Sequence, residues 1–342
     1  MRSPSEIRIF RAGPMPWFFF ENDDPPEEFK RIGLRYVDGP EEADIIIGET
    51  ARALRKFGTW QKRFAIWTAE PRFDLHRVPL VKVRKIDRPV HVMNVHTGTL
   101  YGDNYWFFAR GDYPDLDRDS VLRAFASKPH RAVILATYHA KPDWLRWYYK
   151  ARAWRQDRRT SLVATARGRL LRDGQDVDLF QRRQALALDL SRHGFCDIYG
   201  RRWPEKARIA GENRLGEWEL AKQAILANYR FNIAFENTIV PHYVTEKIWD
   251  AIFGACLPVY HGTGTRIYED FPAGSFIEAG EKKIAALAQE IRAIGPREAA
   301  DRFEACLDTY LRIAREGRHK DSVRACCART VAFLQEVMDS PA

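Results

Sequence analysis

FNIAFENTIVPHYVTEKIWDAIFGACLPVYHG, residues 231–262, reads as strand, polar loop, helix and strand. Phe231, Asn232, Ile233, Ala234 and Phe235 form a short apolar run of the kind a buried strand makes. Glu236 and Asn237 end it with two polar side chains, and the loop that follows carries Pro241, His242 and Tyr243. Thr245 stands at a helix N-cap position, with Glu246 and Lys247 in the first turn. Ile248, Trp249, Ile252 and Phe253 supply an apolar face, Gly254 stops the helix, and 256–261 is the next strand. In an open α/β sheet, ligands bind outside the carboxyl ends of the strands, where helix N-termini point. The spacing therefore brings Asn237, Tyr243, Glu246 and Lys247 toward one crevice, beside backbone N–H groups that favour anions.

The same loop resembles the donor-binding motif of the family 10 glycosyltransferases, the α-1,3/1,4-fucosyltransferases. The resemblance rests on Phe235-Glu236-Asn237, then Tyr243-Val244-Thr245-Glu246-Lys247, then Leu257-Pro258-Val259-Tyr260. It continues at Ser275-Phe276-Ile277 and, upstream, at Asp197-Ile198-Tyr199-Gly200-Arg201, a strand ending in a Gly-Arg pair. Trp67-Thr68-Ala69-Glu70-Pro71 is similar to a further family element but lacks the serine before proline. The match is continuous over about residues 195–278 and thin before residue 130.

The resemblance implies an α/β, GT-B-like fold of two Rossmann-type domains with a cleft between them. It implies GDP-β-L-fucose as donor, an inverting transfer to a GlcNAc-containing glycan, and no essential divalent metal. Arg201 and Lys247 would then neutralise the departing pyrophosphate: arginine presents a planar fork to phosphate oxygens and lysine a compact charge. Glu246 would accept from the ribose hydroxyls, and Asn237 and Tyr243 would hold the phosphates or the fucose. The general base would be Glu70, at the end of an apolar strand, with Asp103 as the alternative. Each residue also has a plainer reading. Glu246 suits a helix dipole, Asn237 an Asx-turn, Lys247 a solvated face, Tyr243 loop packing, Arg201 a surface salt bridge and Glu70 a turn before Pro71. No metal site is expected: Asp115-Leu116-Asp117 has the spacing of a metal-binding pair but falls in a linker-like segment.

The chain has 342 residues, more than one core usually supports, so two domains are expected. Net charge is +9, from 55 Lys and Arg against 46 Asp and Glu. These charges are spread along the chain without a nucleic-acid motif, which speaks for an anionic small ligand and no nucleic-acid partner. The 5 cysteines are an odd number without metal spacing, and Cys196 and Cys256 sit in apolar runs as small core residues. This usage suits a reducing setting. The N-terminal stretch lacks a secretory h-region, and Trp17-Phe18-Phe19-Phe20 is too short to span a bilayer. A cytoplasmic bacterial-type enzyme is the expectation.

Strands are expected at 6–11, 45–48, 63–68, 90–95 and 132–137, and helices at 177–193, 217–228, 282–293, 296–314 and 321–338. We expect an acceptor-binding domain over 1–125, a GDP-fucose-binding domain over 126–315, and a C-terminal helix over 316–342 crossing back to the first domain. Residues 138–172 carry Trp144, Trp147, Tyr148, Tyr149 and Trp154 among ten Lys or Arg and two Asp. They read as a solvated helix, with peripheral contact at the inner membrane face as the sharper alternative. Competing functions are a GT-B transferase using another nucleotide sugar, a non-catalytic glycan-binding protein, and a nucleic-acid-binding protein.

Overall fold

Continuous apolar runs rather than alternating ones mark strands buried on both faces, the signature of a parallel sheet covered by helices. Ile45-Ile46-Ile47, Phe64-Ala65-Ile66-Trp67 and Ala132-Val133-Ile134 are such runs, and all ten residues are buried. The computed structural model describes residues 6–13, 26–69, 80–95, 116–139, 162–164, 170–172, 175–176, 178–212 and 218–341.

Among these, the first elements are β1 (Arg8–Arg11), α1 (Glu27–Arg31), β2 (Arg35–Tyr36), β3 (Ile45–Gly48), α2 (Ala51–Leu54), β4 (Arg63–Thr68), β5 (Leu80–Lys82) and β6 (Pro89–Asn94). Then come α3 (Arg118–Ser127), β7 (Ala132–Leu135), β8 (Leu162–Ala164), β9 (Leu170–Arg172), β10 (Gln175–Asp176), α4 (Phe180–Arg192), β11 (Cys196–Tyr199) and β12 (Ile209–Gly211). The chain continues with α5 (Trp218–Leu226), β13 (Phe231–Ile233), α6 (Glu246–Phe253), β14 (Leu257–Tyr260) and β15 (Ile277–Glu278). Last are α7 (Ile284–Ala293), α8 (Pro296–Glu316) and α9 (Arg318–Asp339). None of the described helices is long and apolar enough to cross a membrane.

The chain divides into two compact units. The first takes the described residues within 1–103, 147–177 and 320–342. Its six-stranded sheet has the order β2-β1-β3-β4-β6-β5. All neighbours are parallel except β5, which runs antiparallel to β6 at the edge. Helix α9 packs on this unit, burying Cys326, Cys327, Thr330, Leu334 and Val337. Strands β8 to β10 form a separate antiparallel sheet. The expected helix over 138–172 is corrected at its described end, where Leu162–Ala164 and Leu170–Arg172 pair as β8 and β9. The aromatic, basic part of that segment lies outside the described residues.

The second unit takes the described residues within 104–146 and 178–319. Its all-parallel sheet has the order β12-β11-β7-β13-β14-β15. The chain moves from β7 to β11 on one side and returns to β13 on the other. β7 and β13 therefore flank a topological switch point, the place where such sheets bind ligands. Helix α3 belongs to this unit, ahead of the boundary expected near residue 125. Phe125 stacks on Phe303 with centroids 4.4 Å apart, and Arg118 pairs with Asp308 at 2.8 Å. Asp117 is the N-cap of α3, accepting from Ser120 N at 2.9 Å, which accounts for its place in the acidic segment.

Each unit is α/β with a mainly parallel sheet, the class that was expected of both domains. All five cysteines are free and buried, so none is available as a metal ligand or disulfide partner.

Candidate functional site

The site is built at the carboxyl edge of the second sheet. β13 ends at Ile233, its ladder extends one step through Ala234 N to Val259 O, and Phe235 and Glu236 stay buried as the chain leaves the sheet. Asn237 O accepts from Leu179 N at 3.0 Å, which ties the start of α4 to this loop. Arg183, also on α4, donates to Phe235 O at 2.9 Å. The far side of the loop is held by Arg266 N on Pro241 O at 2.8 Å.

Glu236 is the hub. It is 1 % exposed, and its two oxygens accept four hydrogen bonds. Oε1 takes Thr245 N at 2.7 Å and the Tyr260 hydroxyl at 3.2 Å. Oε2 takes the Thr245 hydroxyl at 2.7 Å and Lys247 Nζ at 3.0 Å. Lys247 Nζ also donates to Thr245 Oγ1 at 2.7 Å and Glu246 Oε1 at 3.3 Å. Burial and the Glu236 carboxylate raise Tyr260 well above a normal phenol, so it is a neutral donor here.

Thr245 has the extended backbone of an N-cap, as expected, but its side chain does not cap the helix. Its hydroxyl is turned to Glu236 and Lys247 instead. Glu246 is partly exposed, 29 % by side chain. Burial alone would raise its pKa; the ammonium groups of Lys247 and Lys222 outweigh that and hold it at about 2, an anion at any physiological pH. Lys222, on α5, forms a buried ion pair with Asp250 of α6, fixing the helix from the opposite side. Gly254 ends α6, but not by adopting a left-handed conformation. A Cβ there would lie 2.7 Å from Leu226 Cβ, and the left-handed residue is Ala255, at φ 51°.

Of the expected site residues, Glu246 and Lys247 are brought together, and Asn237 is half-buried on the same loop. Tyr243 is fully buried. Arg201 follows β11, along the same edge. Gly200 before it has φ 151°, and a Cβ there would lie 2.0 Å from Ala136 O. Arg201 is half-exposed and donates through two nitrogens to Glu212 Oε2, at 3.0 and 2.6 Å. β11 and β13 flank β7, so about 10 Å separates those two strands at the edge. Glu70 and Asp103 lie outside the described residues; β4 ends at Thr68. Sequence reasoning passed over Glu236, Tyr260, Lys222 and Asp250. Glu236 did carry one signal, a charged residue directly closing a mostly apolar strand.

Residues 175–305 match the model described as glycosyltransferase family 10 (fucosyltransferase) C-term. A curated relative, alpha-(1,3)-fucosyltransferase FucT of Helicobacter pylori, is 36 % identical over 92 residues, 27 % of this chain and 19 % of that protein. Human 3-galactosyl-N-acetylglucosaminide 4-alpha-L-fucosyltransferase FUT3 is 32 % identical over 139 residues, 39 % of this chain and 34 % of that protein. The chain thus spans about a fifth to a third of the length of these relatives. A crystal structure of an alpha1,3-fucosyltransferase with GDP-fucose aligns over 100 % of this chain and 93 % of that one, with TM-score 0.40 and 16 % identity. The similarity to glycosyltransferase family 10 is thus carried by residues 175–305, which match the C-terminal part of that family.

Proposed function

We propose that this protein is a fucosyltransferase that moves L-fucose from GDP-β-L-fucose to a hydroxyl of a GlcNAc-containing glycan, with inversion and without a required metal. The observation that carries this reading is Lys247 at the start of α6, beside a switch point, within the matched segment.

Loss of GDP places extra negative charge on a pyrophosphate. Lys247 and the first-turn N–H groups of α6 supply positive potential where that charge develops. Arg201 adds a fork of donors; its present bonds to Glu212 use two of its three nitrogens and leave NH1 for phosphate. Glu246, a partly exposed and ionised acceptor next to Lys247, suits the paired hydroxyls of a ribose. Asn237 presents its amide from the same loop to the phosphates or the sugar. Tyr243 supports the loop from below. Glu70, or Asp103 in its place, takes the acceptor proton in this scheme.

Purified protein incubated with GDP-fucose, a chelator and a panel of GlcNAc-containing acceptors tests the whole reading by mass spectrometry. A product heavier by one deoxyhexose is expected. No product, together with no rise in melting temperature on adding GDP, would overturn it.

A further inference from the structure

We propose that Glu236 is a positioning residue for the donor's pyrophosphate, acting through Lys247 and Thr245 without touching the ligand. The inference rests on the donor reading above and assigns a task to a carboxylate that reading leaves unused.

An ionised carboxylate has about four lone-pair sites. In Glu236 all four are taken, by Thr245 N, the Thr245 and Tyr260 hydroxyls and Lys247 Nζ. At 1 % exposure it has neither the capacity to accept from a substrate nor access to one. It is thereby excluded as general base and as sugar ligand, although it is the most buried acid at this edge of the sheet.

Its bonds have two consequences. The lysine stem carries four rotatable bonds, and holding its ammonium at one point costs rotamer entropy that ligand binding would otherwise have to meet. Glu236 fixes that ammonium in advance, with Thr245 Oγ1 and, at a longer 3.3 Å, Glu246 Oε1 as its other contacts. The other consequence concerns the helix. A threonine at N-cap normally turns its oxygen onto the N–H of the second or third residue. Here Glu236 accepts the Thr245 hydroxyl proton and diverts that oxygen, so the helix starts without a side-chain cap. One carboxylate therefore keeps an ammonium aimed and a helix N-terminus open, and both features favour an anion at the same place.

Glu236→Gln tests this. The amide keeps an oxygen for Thr245 N and Tyr260 but turns an N–H donor toward Lys247. Affinities for GDP and for guanosine are measured by calorimetry on wild type and variant. GDP binding is expected to weaken about tenfold or more, with guanosine unchanged. A merely structural residue would weaken both ligands together. Equal loss for both, or wild-type affinity for GDP, overturns the inference while leaving the donor reading standing. Wild-type protein that fails to bind GDP overturns both. If Glu236→Gln does not fold, Glu236→Asp, which keeps the charge with a shorter reach, is scored in the same way. Failure of both to fold would make Glu236 structural and also overturn the proposal.

Discussion

Trp67 Nε1 donates to Thr330 Oγ1 at 3.1 Å across 263 residues of sequence, joining β4 to α9. Thr330 also lies 3.9 Å from Met93 Sδ of β6. One buried hydroxyl thus meets two neighbouring strands of the first sheet. Nearby, Ser340 Oγ lies 2.9 Å from His91 Nε2, and Arg63 Nε donates to Ser340 O at 2.8 Å.

His91 makes this junction sensitive to acid. Burial lowers its pKa below the usual 6.5, against a weaker opposite pull from Glu336. The unfolded chain therefore binds the proton more readily than the folded one. Stability is complete above pH 6.5 and is lost as pH falls from there toward the folded value. Melting temperature should drop between pH 7.5 and 5.5, and His91→Phe should show a smaller drop. An equal drop in both proteins would remove His91 as the cause.

Lys247→Ala should lower kcat/KM for GDP-fucose by about 10²–10³, the usual cost of one donor aimed at developing charge. Arg201→Ala should cost less, about tenfold, because Arg201 is half-exposed and shared with Glu212. Steady-state kinetics on the three proteins check the ranking.

Lys128 is buried without a carboxylate partner among the described residues. Its ammonium donates to Leu226 O at 3.1 Å, Ala255 O at 2.8 Å and Gly254 O, so it serves the C-terminal ends of α5 and α6 together. Burial lowers its pKa from 10.5, yet the bonds to carbonyls leave it a donor. Lys128→Met keeps the volume and strands three carbonyls; we expect a loss of about 2 kcal/mol in urea unfolding.

Gly200→Ala should be more severe than any change on the exposed surface. Its Cβ would meet Ala136 O at 2.0 Å, backbone against a central strand, at a φ of 151°. The variant is expected to lose more than about 4 kcal/mol or to fail to accumulate as folded protein, with circular dichroism and thermal melts as the readout.

Much of the fold was legible because parallel strands advertise themselves. Ile45 to Ile47 and Phe64 to Trp67 have no polar residue, Phe231 to Phe235 has one, Asn232, and each became a buried strand or its extension. The placement of Glu246 and Lys247 in a first helical turn was legible from the strand, loop and N-cap pattern before them. Glu236 was not, because its meaning lies in partners 9, 11 and 24 residues away, and a saturated carboxylate looks the same in sequence as an open one. The Thr245 hydroxyl misled for the same reason: its backbone obeys the cap rule while a nearby anion claims its side chain. Strands β8 and β9 were missed because the arginines in and around them outweighed two short apolar stretches that only their pairing makes visible.

The helix that covers Trp67 and Met93 has consequences for biosynthesis. A ribosome finishes every strand of the first sheet long before it reaches Thr330, 237 residues beyond Met93. Through that interval the nascent sheet waits with an indole and a thioether uncovered by their eventual partner. The second unit, whose sheet and helices all lie before residue 320, can complete its core first. Folding during translation would then run against chain order, and the earliest strands would be the last to be sealed.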